Sequence, residues 1–268
     1  MSFSSAPTIS PHTTAKLEIA DRQKRILDLV HDRGFVSVTK LAVTLQVSEQ
    51  TARRDLMSLA ERGLVSKVHG GAGLPQGIAD VNYDLRRQRF PEEKAKIARE
   101  VANYIPEGAT VFIDIGTTME AVADALLDHK RLTIITNHIA VALILSRRSD
   151  FDIMLAGGIL RRRDNATTGE AAREFIEQFR AAYGIFGIGG ISSEGDLLDF
   201  DFRDIGVSRA AMRISKRRLF ALDHSKFDAE AAVRIGHVSD ADAIFTDKMP
   251  PPALAASIHN NGVSLIVA

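Results

Sequence analysis

The stretch "SEQTARRDLMSL", residues 48–59, sets two arginines side by side on a segment with the period of an amphipathic helix. At 100° per residue its apolar face holds Ala52, Leu56, Leu59 and Ala60. The opposite face holds Gln50, Arg54, Met57 and Ser58, with Arg53 at its flank. The pattern predicts a short helix that is buried on one side and polar or cationic on the other, which is typical of a solvated surface or of a contact surface.

Two further helices are predicted before this one. A first helix in "LEIADRQKRILDLVHDRG", residues 17–34, ends at Gly34, a residue suited to a left-handed helix stop. A second helix in "FVSVTKLAVTL", residues 35–45, begins after Ser37 as its N-cap, and Ser48 is the predicted N-cap of the next helix. Two short helices joined by a tight turn, the second cationic outside, form a helix-turn-helix pattern.

A β wing is predicted to follow. In "GLVSKVHGGA", residues 63–72, the apolar residues Leu64, Val65 and Val68 suit a strand, and the glycine pair suits a turn. The wing carries Lys67 and His69, which could contact phosphate or simply be exposed.

Composition limits the classes of protein. The 268 residues allow two domains, and 34 Lys and Arg balance 34 Asp and Glu. The chain has neither Cys nor Trp, and its eight His residues show no metal-ligand spacing, so we expect no disulfide, metal or cofactor. Residues 1–15 are predicted to be a disordered tail without a signal sequence, and no apolar run is long enough for a membrane. We therefore expect a cytoplasmic protein with no membrane partner.

The balanced total hides an asymmetry. Residues 16–72 hold ten Lys and Arg against seven Asp and Glu, so the cationic excess lies at the N-terminal end. This is the sign that a phosphate-binding surface requires.

The second half of the chain alternates short apolar runs with helical segments. The runs are "TVFIDI" (110–115), "LTIIT" (132–136), "FDIMLA" (151–156), "YGIFGI" (183–188), "RLFALD" (218–223), "AIFTD" (243–247) and "VSLIVA" (263–268). This alternation predicts an α/β domain with a mostly parallel sheet. The predicted organisation is a tail over 1–15, a winged helix-turn-helix over 16–73, a linker over 74–91 and an α/β domain over 92–268.

Ligands of parallel sheets bind beyond the carboxyl ends of the strands, so the residues after each run are candidates. In "DIGTT", residues 114–118, Gly116 permits close backbone approach, and Thr117 and Thr118 begin a helix, where amide donors favour a phosphate. The same stretch also has the form of a capping box from Thr117 to Glu120, which needs no ligand. The other candidates are Thr136, Asn137, Gly157, Gly158 and Lys226.

Lys226 in "DHSKF", residues 223–227, could close on a phosphate as a point charge, or be an ordinary loop lysine. Asp223 and His224 beside it are a weak acid-base pair without a placed nucleophile. We therefore predict no catalytic residue.

The N-terminal module resembles the DeoR family of bacterial transcription regulators. The resemblance rests on Arg22, Ile26 and Val30 at four-residue spacing, followed by "SEQTARRDL" (48–56) and "HGGA" (69–72). It implies a winged helix-turn-helix whose second helix lies in the major groove of operator DNA, with Gln50, Thr51, Arg53 and Arg54 nearest the bases. The predicted DNA-contacting residues are Ser37, Ser48, Gln50, Thr51, Arg53, Arg54, Lys67 and His69. The open structural alternative is that one arginine only pairs with Asp55 or Glu61.

The rest of the chain is similar to the effector domain of the same family. The matching motifs are "EEKAKIAREVA" (92–102), "FIDIGTT" (112–118), "TN" (136–137), "LAGG" (155–158), "DHSKF" (223–227) and "FTD" (245–247). That likeness implies a fold like ribose-5-phosphate isomerase and a phosphorylated sugar or similar metabolite as ligand. "IPEGATVFIDIGTT" (105–118), "LLDFDFRD" (197–204) and "TDKMPPP" (246–252) resemble the branch that responds to glycerol 3-phosphate, and "GDLLDFD" (195–201) departs from the wider family as that branch does.

These observations predict a homo-oligomeric repressor that leaves its operator when it binds glycerol 3-phosphate. Two alternatives have a different ligand or chemistry: a repressor that senses another phosphorylated sugar, or a phosphosugar isomerase fused to a DNA-binding module. The glycines of "YGIFGIGGIS", residues 183–192, stand where such an isomerase places carboxylates, which disfavours the enzyme. A third alternative is a DNA-binding protein whose larger domain only oligomerises.

Overall fold

The computed structural model describes residues 20–30, 35–68, 70–73, 83, 86–199, 205–229, 231 and 233–268. The chain divides into two compact units, Met1–Gln76 and Gly77–Ala268. Within the described ranges, no helix has the length and apolar character needed to cross a bilayer. The predicted tail over 1–15 lies outside the described residues, as does most of the predicted linker over 74–91.

The first unit is a three-helix module with a small antiparallel sheet. Its described helices are α1 over residues 20–30, α2 (Val38–Leu45) and α3 (Glu49–Glu61). Its strands, in the order β1-β3-β2, are β1 (Phe35–Ser37), β2 (Ser66–Val68) and β3 (Gly71–Gly73). The helix-turn-helix and the wing predicted from the sequence are confirmed, and β1 adds a third strand where only a helix cap was predicted.

Local sequence explains the turn between α2 and α3. The Ser37 hydroxyl accepts a hydrogen bond from the amide of Lys40, and the Ser48 hydroxyl accepts one from the amide of Thr51, so both predicted N-caps are present. Gln46 ends α2 in the left-handed conformation, with φ of 54°, which reverses the chain within a few residues.

The buried face of α3 closes the core of this unit. Ala52, Leu56 and Leu59 are buried, as the helical period predicts. They pack in one cluster with residues of α1, α2 and the sheet, among them Ile26 and Leu41. This leaves the Arg53 and Arg54 side of α3 as the outer face.

The second unit is built on a seven-stranded sheet in which every neighbouring pair is parallel. Its strands are β4 (Thr110–Ile113), β5 (Thr133–Thr136), β6 (Asp152–Leu155), β9 (Ala181–Phe186), β12 (Ser215–Ala221), β14 (Ala243–Thr246) and β15 (Ser264–Val267). Their order is β15-β14-β12-β9-β4-β5-β6. Each of the seven apolar runs noted in the sequence overlaps one of these strands, so the predicted α/β sheet is confirmed.

Helices cover both faces of the sheet. They are α4 (Pro91–Tyr104), α5 (Thr117–Ala125), α6 (Ile139–Leu145), α7 (Glu170–Glu177), α8 (Ile205–Ile214) and α9 (Pro252–Asn260). Neighbouring strand residues alternate between two cores: Phe112 belongs to the core under α7, α8 and α9, whereas Val111 and Ile113 belong to the core under α4, α5 and α6. This two-sided burial explains why the strands are apolar throughout.

Two small antiparallel sheets were not predicted from the sequence. One pairs β7 (Ile159–Arg161) with β8 (Ala166–Thr168). The other has the order β10-β11-β13, with β10 (Gly190–Ile191), β11 (Asp196–Asp199) and β13 (Val233–His237). These strands are two to five residues long and contain polar residues, so they lack a strong hydrophobic period.

Candidate functional site

The outer face of α3 presents the predicted DNA-contacting side chains. Gln50, Arg53 and Arg54 are exposed and Thr51 is half-buried. Arg53 makes only an exposed ion pair with Glu49, 3.3 Å from Nη2 to Oε2. Arg54 has no ion-pair or hydrogen-bond partner within the described residues. Two guanidinium groups that are exposed and weakly held can bind an anion or a base edge without first breaking a strong contact.

Asp55, on the inner side of the same helix, pairs with a residue of α1. Its carboxylate is buried and accepts two hydrogen bonds from Arg22 of α1, from Nε at 2.5 Å and from Nη2 at 3.1 Å. The ion pairs of the described residues join neither Arg53 nor Arg54 to Asp55 or Glu61. The alternative that one of the two arginines only pairs with Asp55 or Glu61 is therefore wrong.

The remaining residues of this group lie around the helix. Ser37 and Ser48 have their hydroxyls occupied as helix caps, so they position α2 and α3. Lys67 is exposed on β2 of the wing. His69 lies outside the described residues.

In the second unit the predicted ligand residues lie at the carboxyl ends of neighbouring strands. Gly116 is the N-cap of α5 with φ of 123°, a conformation that favours glycine, and open space lies beside its Cα. Thr117 is half-buried and Thr118 is buried at the first positions of the helix. This geometry places free amide donors of α5 at the end of β4.

The capping box from Thr117 to Glu120 is absent. The cap position belongs to Gly116, one residue earlier, and no side chain caps the helix. The buried Glu120 carboxylate instead accepts a hydrogen bond from the Tyr83 hydroxyl at 2.5 Å and pairs with Arg87 at 2.9 Å. The interpretation of this motif as a simple capping box is wrong, because Glu120 has stronger partners from a distant part of the chain.

Thr136 and Asn137 are buried at the end of β5. The Thr136 hydroxyl donates to the carbonyl of Ile113 at 2.7 Å, which ties the ends of β4 and β5 together. The Asn137 amide donates to the carbonyl of Thr167, while its Oδ1 is buried without a hydrogen-bond partner among the described residues. Thr136 thus supports the carboxyl ends of β4 and β5. The Asn137 Oδ1 atom is an acceptor without a donor among the described residues.

Gly157 and Gly158 are exposed after β6 and differ in freedom. Gly158 has φ of 140°, and a Cβ there would lie 2.7 Å from the Thr168 carbonyl oxygen, whereas a Cβ at Gly157 would meet nothing within 4 Å. Gly158 is required by the backbone, and Gly157 leaves open space beside the strand end.

Lys226 lies two strands away from Gly116, in a short 3₁₀ turn, His224–Lys226, that follows β12. Its ammonium makes no hydrogen bond or ion pair within the described residues. Burial lowers the pKa of Lys226, the Asp223 carboxylate opposes that change, and the charges of Arg86 and Arg89 add to it. The Asp199 carboxylate also opposes the change, so Lys226 lies among two arginines and two carboxylates.

Lys94 on α4 completes this cationic cluster. It is buried and donates hydrogen bonds to the carbonyls of Arg86 and of Arg89, the latter at 2.6 Å. Burial lowers the pKa of Lys94 to about 8, with Asp223 opposing and Lys226 adding to the effect. The charges of Arg86 and Arg89 thus act on both Lys94 and Lys226, with the Asp223 and Asp199 carboxylates nearby. A cluster of four cations can attract an anion.

Arg86, Arg89 and Lys94 are not among the ligand residues predicted from the sequence. One signal for Lys94 was available: its spacing to Ile97, Ala98 and Val101 places it on the apolar face of α4. No comparable signal identifies Arg86 and Arg89, because their surroundings come from residues far along the chain.

His224 serves the structure of the turn. Its Nδ1 lies 2.6 Å from Asp247 Oδ2, and its backbone amide donates to Asp247 Oδ1. Its ring packs on Phe90, with ring centroids 4.7 Å apart. The motifs "DHSKF" and "FTD" therefore bind each other, and these contacts hold His224 in the turn.

Two family models match the chain. A DeoR-like helix-turn-helix domain matches residues 22–77, and the DeoR C terminal sensor domain matches residues 89–248. Together they span both units.

Curated relatives match over nearly the whole length. The chain is 46% identical over 244 residues to the glycerol-3-phosphate regulon repressor of Escherichia coli (strain K12), covering 91% of this chain and 97% of that protein. It is 41% identical over 246 residues to the HTH-type transcriptional repressor CsqR of the same strain, covering 92% and 94%. It is 31% identical over 248 residues to the repressor GlcR of Bacillus subtilis (strain 168), covering 92% and 95%.

Solved structures are more distant. Ribose 5 phosphate isomerase A of Neisseria gonorrhoeae is 14% identical with a TM-score of 0.37, covering 50% of this chain and 52% of that chain. The eIF2B beta subunit of Chaetomium thermophilum is 16% identical with a TM-score of 0.45, covering 91% and 69%. Neither likeness supports an inference about function.

Proposed function

This chain belongs to the DeoR family of transcriptional regulators, and from that premise we propose that it represses genes of glycerol 3-phosphate metabolism and leaves its operator when glycerol 3-phosphate binds to the second unit. The single observation that carries the proposal is the 46% identity to a glycerol-3-phosphate regulon repressor over 97% of that protein's length. The relatives reported above are repressors, so the chain is a regulator and not an isomerase.

The first unit supplies the proposed DNA contacts. Gln50, Thr51, Arg53 and Arg54 on the outer face of α3 enter the major groove, where an arginine fork can bind guanine O6 and N7. Ser37 and Ser48 hold the two helices at the required angle through their caps. Lys67 on the wing contacts phosphate, which orients the module without reading sequence. The sequence assigns the same role to His69, which lies outside the described residues.

The second unit supplies the proposed ligand site. The phosphate lies at the start of α5, near the amides after Gly116 and the hydroxyls of Thr117 and Thr118, with Lys226 as a cationic partner. The lack of a direct hydrogen-bond or ion-pair partner for the Lys226 ammonium among the described residues and the open space beside Gly116 support this placement. Asn137 and the Gly157 and Gly158 turn border the remaining part of the ligand, and Thr136 supports them from below.

We further propose that the chain acts as a homo-oligomer in the cytoplasm. Exposed apolar side chains support this: Leu155 on β6, an edge strand of the sheet, Leu143 on α6, and Ile159 and Leu160 on β7. A second copy of the chain would cover them and pair two reading helices for a two-fold operator. Sedimentation velocity should show an oligomer for the natural chain and a smaller species for the Leu143→Glu, Ile159→Glu double variant.

The functional proposal is tested with DNA and ligand together. Duplexes selected from random sequence by the full chain give the operator, and fluorescence anisotropy then measures its release by glycerol 3-phosphate. Fructose and ribose phosphates serve as competitors. Release by glycerol 3-phosphate at the lowest concentration supports the proposal. Preference for a sugar phosphate would retain the regulator and change its ligand, and binding of DNA without any response to phosphorylated compounds would favour a purely oligomerising second unit.

A further inference from the structure

A short segment at the beginning of the second unit is fastened to the elements that form the candidate ligand site. We name this segment, residue 83 with residues 86–90, the strap. The strap lies in the stretch that directly precedes α4, and residues 74–82 connect it to the first unit.

One end of the strap is held by a buried side chain. Tyr83 is buried, and its hydroxyl donates to Glu120 Oε1 on α5, with His138 Nε2 2.9 Å away. Arg87 adds an ion pair to the same Glu120 carboxylate. The first attachment of the strap is therefore to α5, the helix whose N-terminus is the proposed phosphate site.

The other end of the strap is held through its backbone. Lys94 donates to the carbonyls of Arg86 and Arg89, and the Phe90 ring packs on His224 in the turn that carries Lys226. The Thr117 hydroxyl lies 3.5 Å from the Arg86 carbonyl, at the limit of a hydrogen bond, so it can turn to a ligand at little cost.

This docking gathers positive charge. The strap contributes Arg86 and Arg89, whose charges act on Lys94 of α4 and on Lys226. The Asp223 carboxylate acts on both lysines, and Asp199 acts on Lys226. The Nε of Arg86 is buried without a hydrogen-bond partner among the described residues. A dianionic phosphate placed among these groups would offset the repulsion between the arginines and the lysines. It would also accept a hydrogen bond from Arg86 Nε.

We propose that Arg86 and Arg89 of the strap form part of the phosphate site, so that binding of the ligand and docking of the strap stabilise each other. The inference rests on the proposed function, since it uses the same site. Because the strap is continuous with residues 74–82, docking it leaves only those residues to span the distance to the first unit, whereas a released strap leaves residues 74–90. Ligand binding therefore reduces the number of undocked residues between the two units. Through this change in linker length the ligand site regulates the DNA-binding unit.

The test uses variants of the full chain in which arginines are replaced by uncharged glutamine. In the Arg86→Gln, Arg89→Gln double variant, calorimetry should show glycerol 3-phosphate affinity reduced by about tenfold or more, and release from operator DNA should need correspondingly more ligand. The matched control is Arg99→Gln on the exposed side of α4, outside the strap, and it should keep the natural affinity. The Arg86→Lys, Arg89→Lys variant keeps both charges and should recover part of the loss.

Hydrogen exchange on the natural chain gives a second measurement that needs no variant. Glycerol 3-phosphate should slow exchange in the peptide that covers residues 83–90. If Lys226→Ala weakens binding while the double variant binds as the natural chain does and exchange at 83–90 is unchanged, the inference is overturned and the proposed function stands. If another phosphorylated compound is the ligand, the same variants are measured with it. If no phosphorylated compound binds to the natural chain, the proposed ligand site and the inference fall together.

Discussion

Arg22 of α1 binds the Asp55 carboxylate of α3 through two hydrogen bonds, and this pair holds α3 from its inner side. Asp55 is nearly fully buried, whereas the Arg22 side chain keeps 22% exposure. Because a carboxylate on the inner side of α3 is already paired, the two arginines on the outer side remain available. The signature position Arg22 thus has a structural reason that the sequence alone did not reveal.

Removing Arg22 should destabilise the first unit. Arg22→Met leaves a buried carboxylate without its bidentate partner, a change that costs about 3–5 kcal/mol for fully buried pairs. Because Arg22 is partly solvated, we expect about 1–3 kcal/mol. Thermal unfolding followed by circular dichroism is the measurement, and Arg25→Met on the exposed side of α1 is the control. Equal stability of Arg22→Met and the natural chain would show that the pair does not hold α3.

Arg54→Ala should weaken operator binding by about 1–3 kcal/mol if the guanidinium reads a base. Arg53→Ala should cost a similar amount, less the small energy of its exposed pair with Glu49. Glycerol 3-phosphate affinity should not change in either variant. Fluorescence anisotropy with operator and scrambled duplexes provides both affinity and specificity, and operator binding at the natural strength by both variants would disprove the groove assignment.

A substitution in the wing should affect DNA binding differently from a substitution in α3. Lys67→Ala should weaken all duplexes alike and reduce the slope of log K against log salt by about 1, because a phosphate contact releases counterions without reading bases. Titrations at several salt concentrations measure that slope. A loss confined to the operator would assign Lys67 to base reading instead.

The two glycines after β6 allow a matched comparison. Gly158→Ala puts a Cβ 2.7 Å from the Thr168 carbonyl oxygen at φ of 140°, so we expect a loss of about 1–3 kcal/mol of stability. Gly157→Ala fills open space and should fold normally. If the ligand uses that space, Gly157→Ala should lower ligand affinity in a stable protein; unchanged affinity would remove Gly157 from the site.

Ligand binding should depend on pH through Lys94. Burial lowers the pKa of Lys94 to about 8 from an ordinary value of 10.5, so above pH 8 the folded chain has lost a proton that the unfolded chain keeps. This group therefore adds to stability as pH rises from about 8 to 10.5. A bound phosphate favours the ammonium form, so binding should take up protons near pH 8.5, and affinity should fall as pH rises further.

Calorimetry in buffers of different ionisation enthalpy measures that proton uptake. The uptake should shrink in Lys94→Met. Natural protein whose binding enthalpy is independent of the buffer at pH 8.5 would rule out a role for this proton.

The sequence predicted the elements of this chain better than their contacts. The buried face of α3 follows from its helical period and the seven strands follow from short apolar runs, because each pattern is a local property of the sequence. The capping box failed, since Glu120 prefers Tyr83 and Arg87, and a local motif cannot reveal partners more than thirty residues away. Arg86 and Arg89 were missed for the same reason. The short strands β7, β8, β10 and β11 were missed because tertiary contacts, rather than hydrophobic alternation, define them.

The central claim is that a phosphate held by Lys226 releases the operator, and calorimetry on Lys226→Ala with glycerol 3-phosphate tests it most directly. Loss of a hydrogen bond to a charged group costs about 1.5–3 kcal/mol, so affinity should fall by about tenfold or more. The exposed Lys216→Ala serves as the control and should bind normally. The Lys226→Ala protein should still bind the operator and fail to release it at ligand concentrations that release the natural chain. A folded Lys226→Ala protein with natural ligand affinity and natural release would contradict the account.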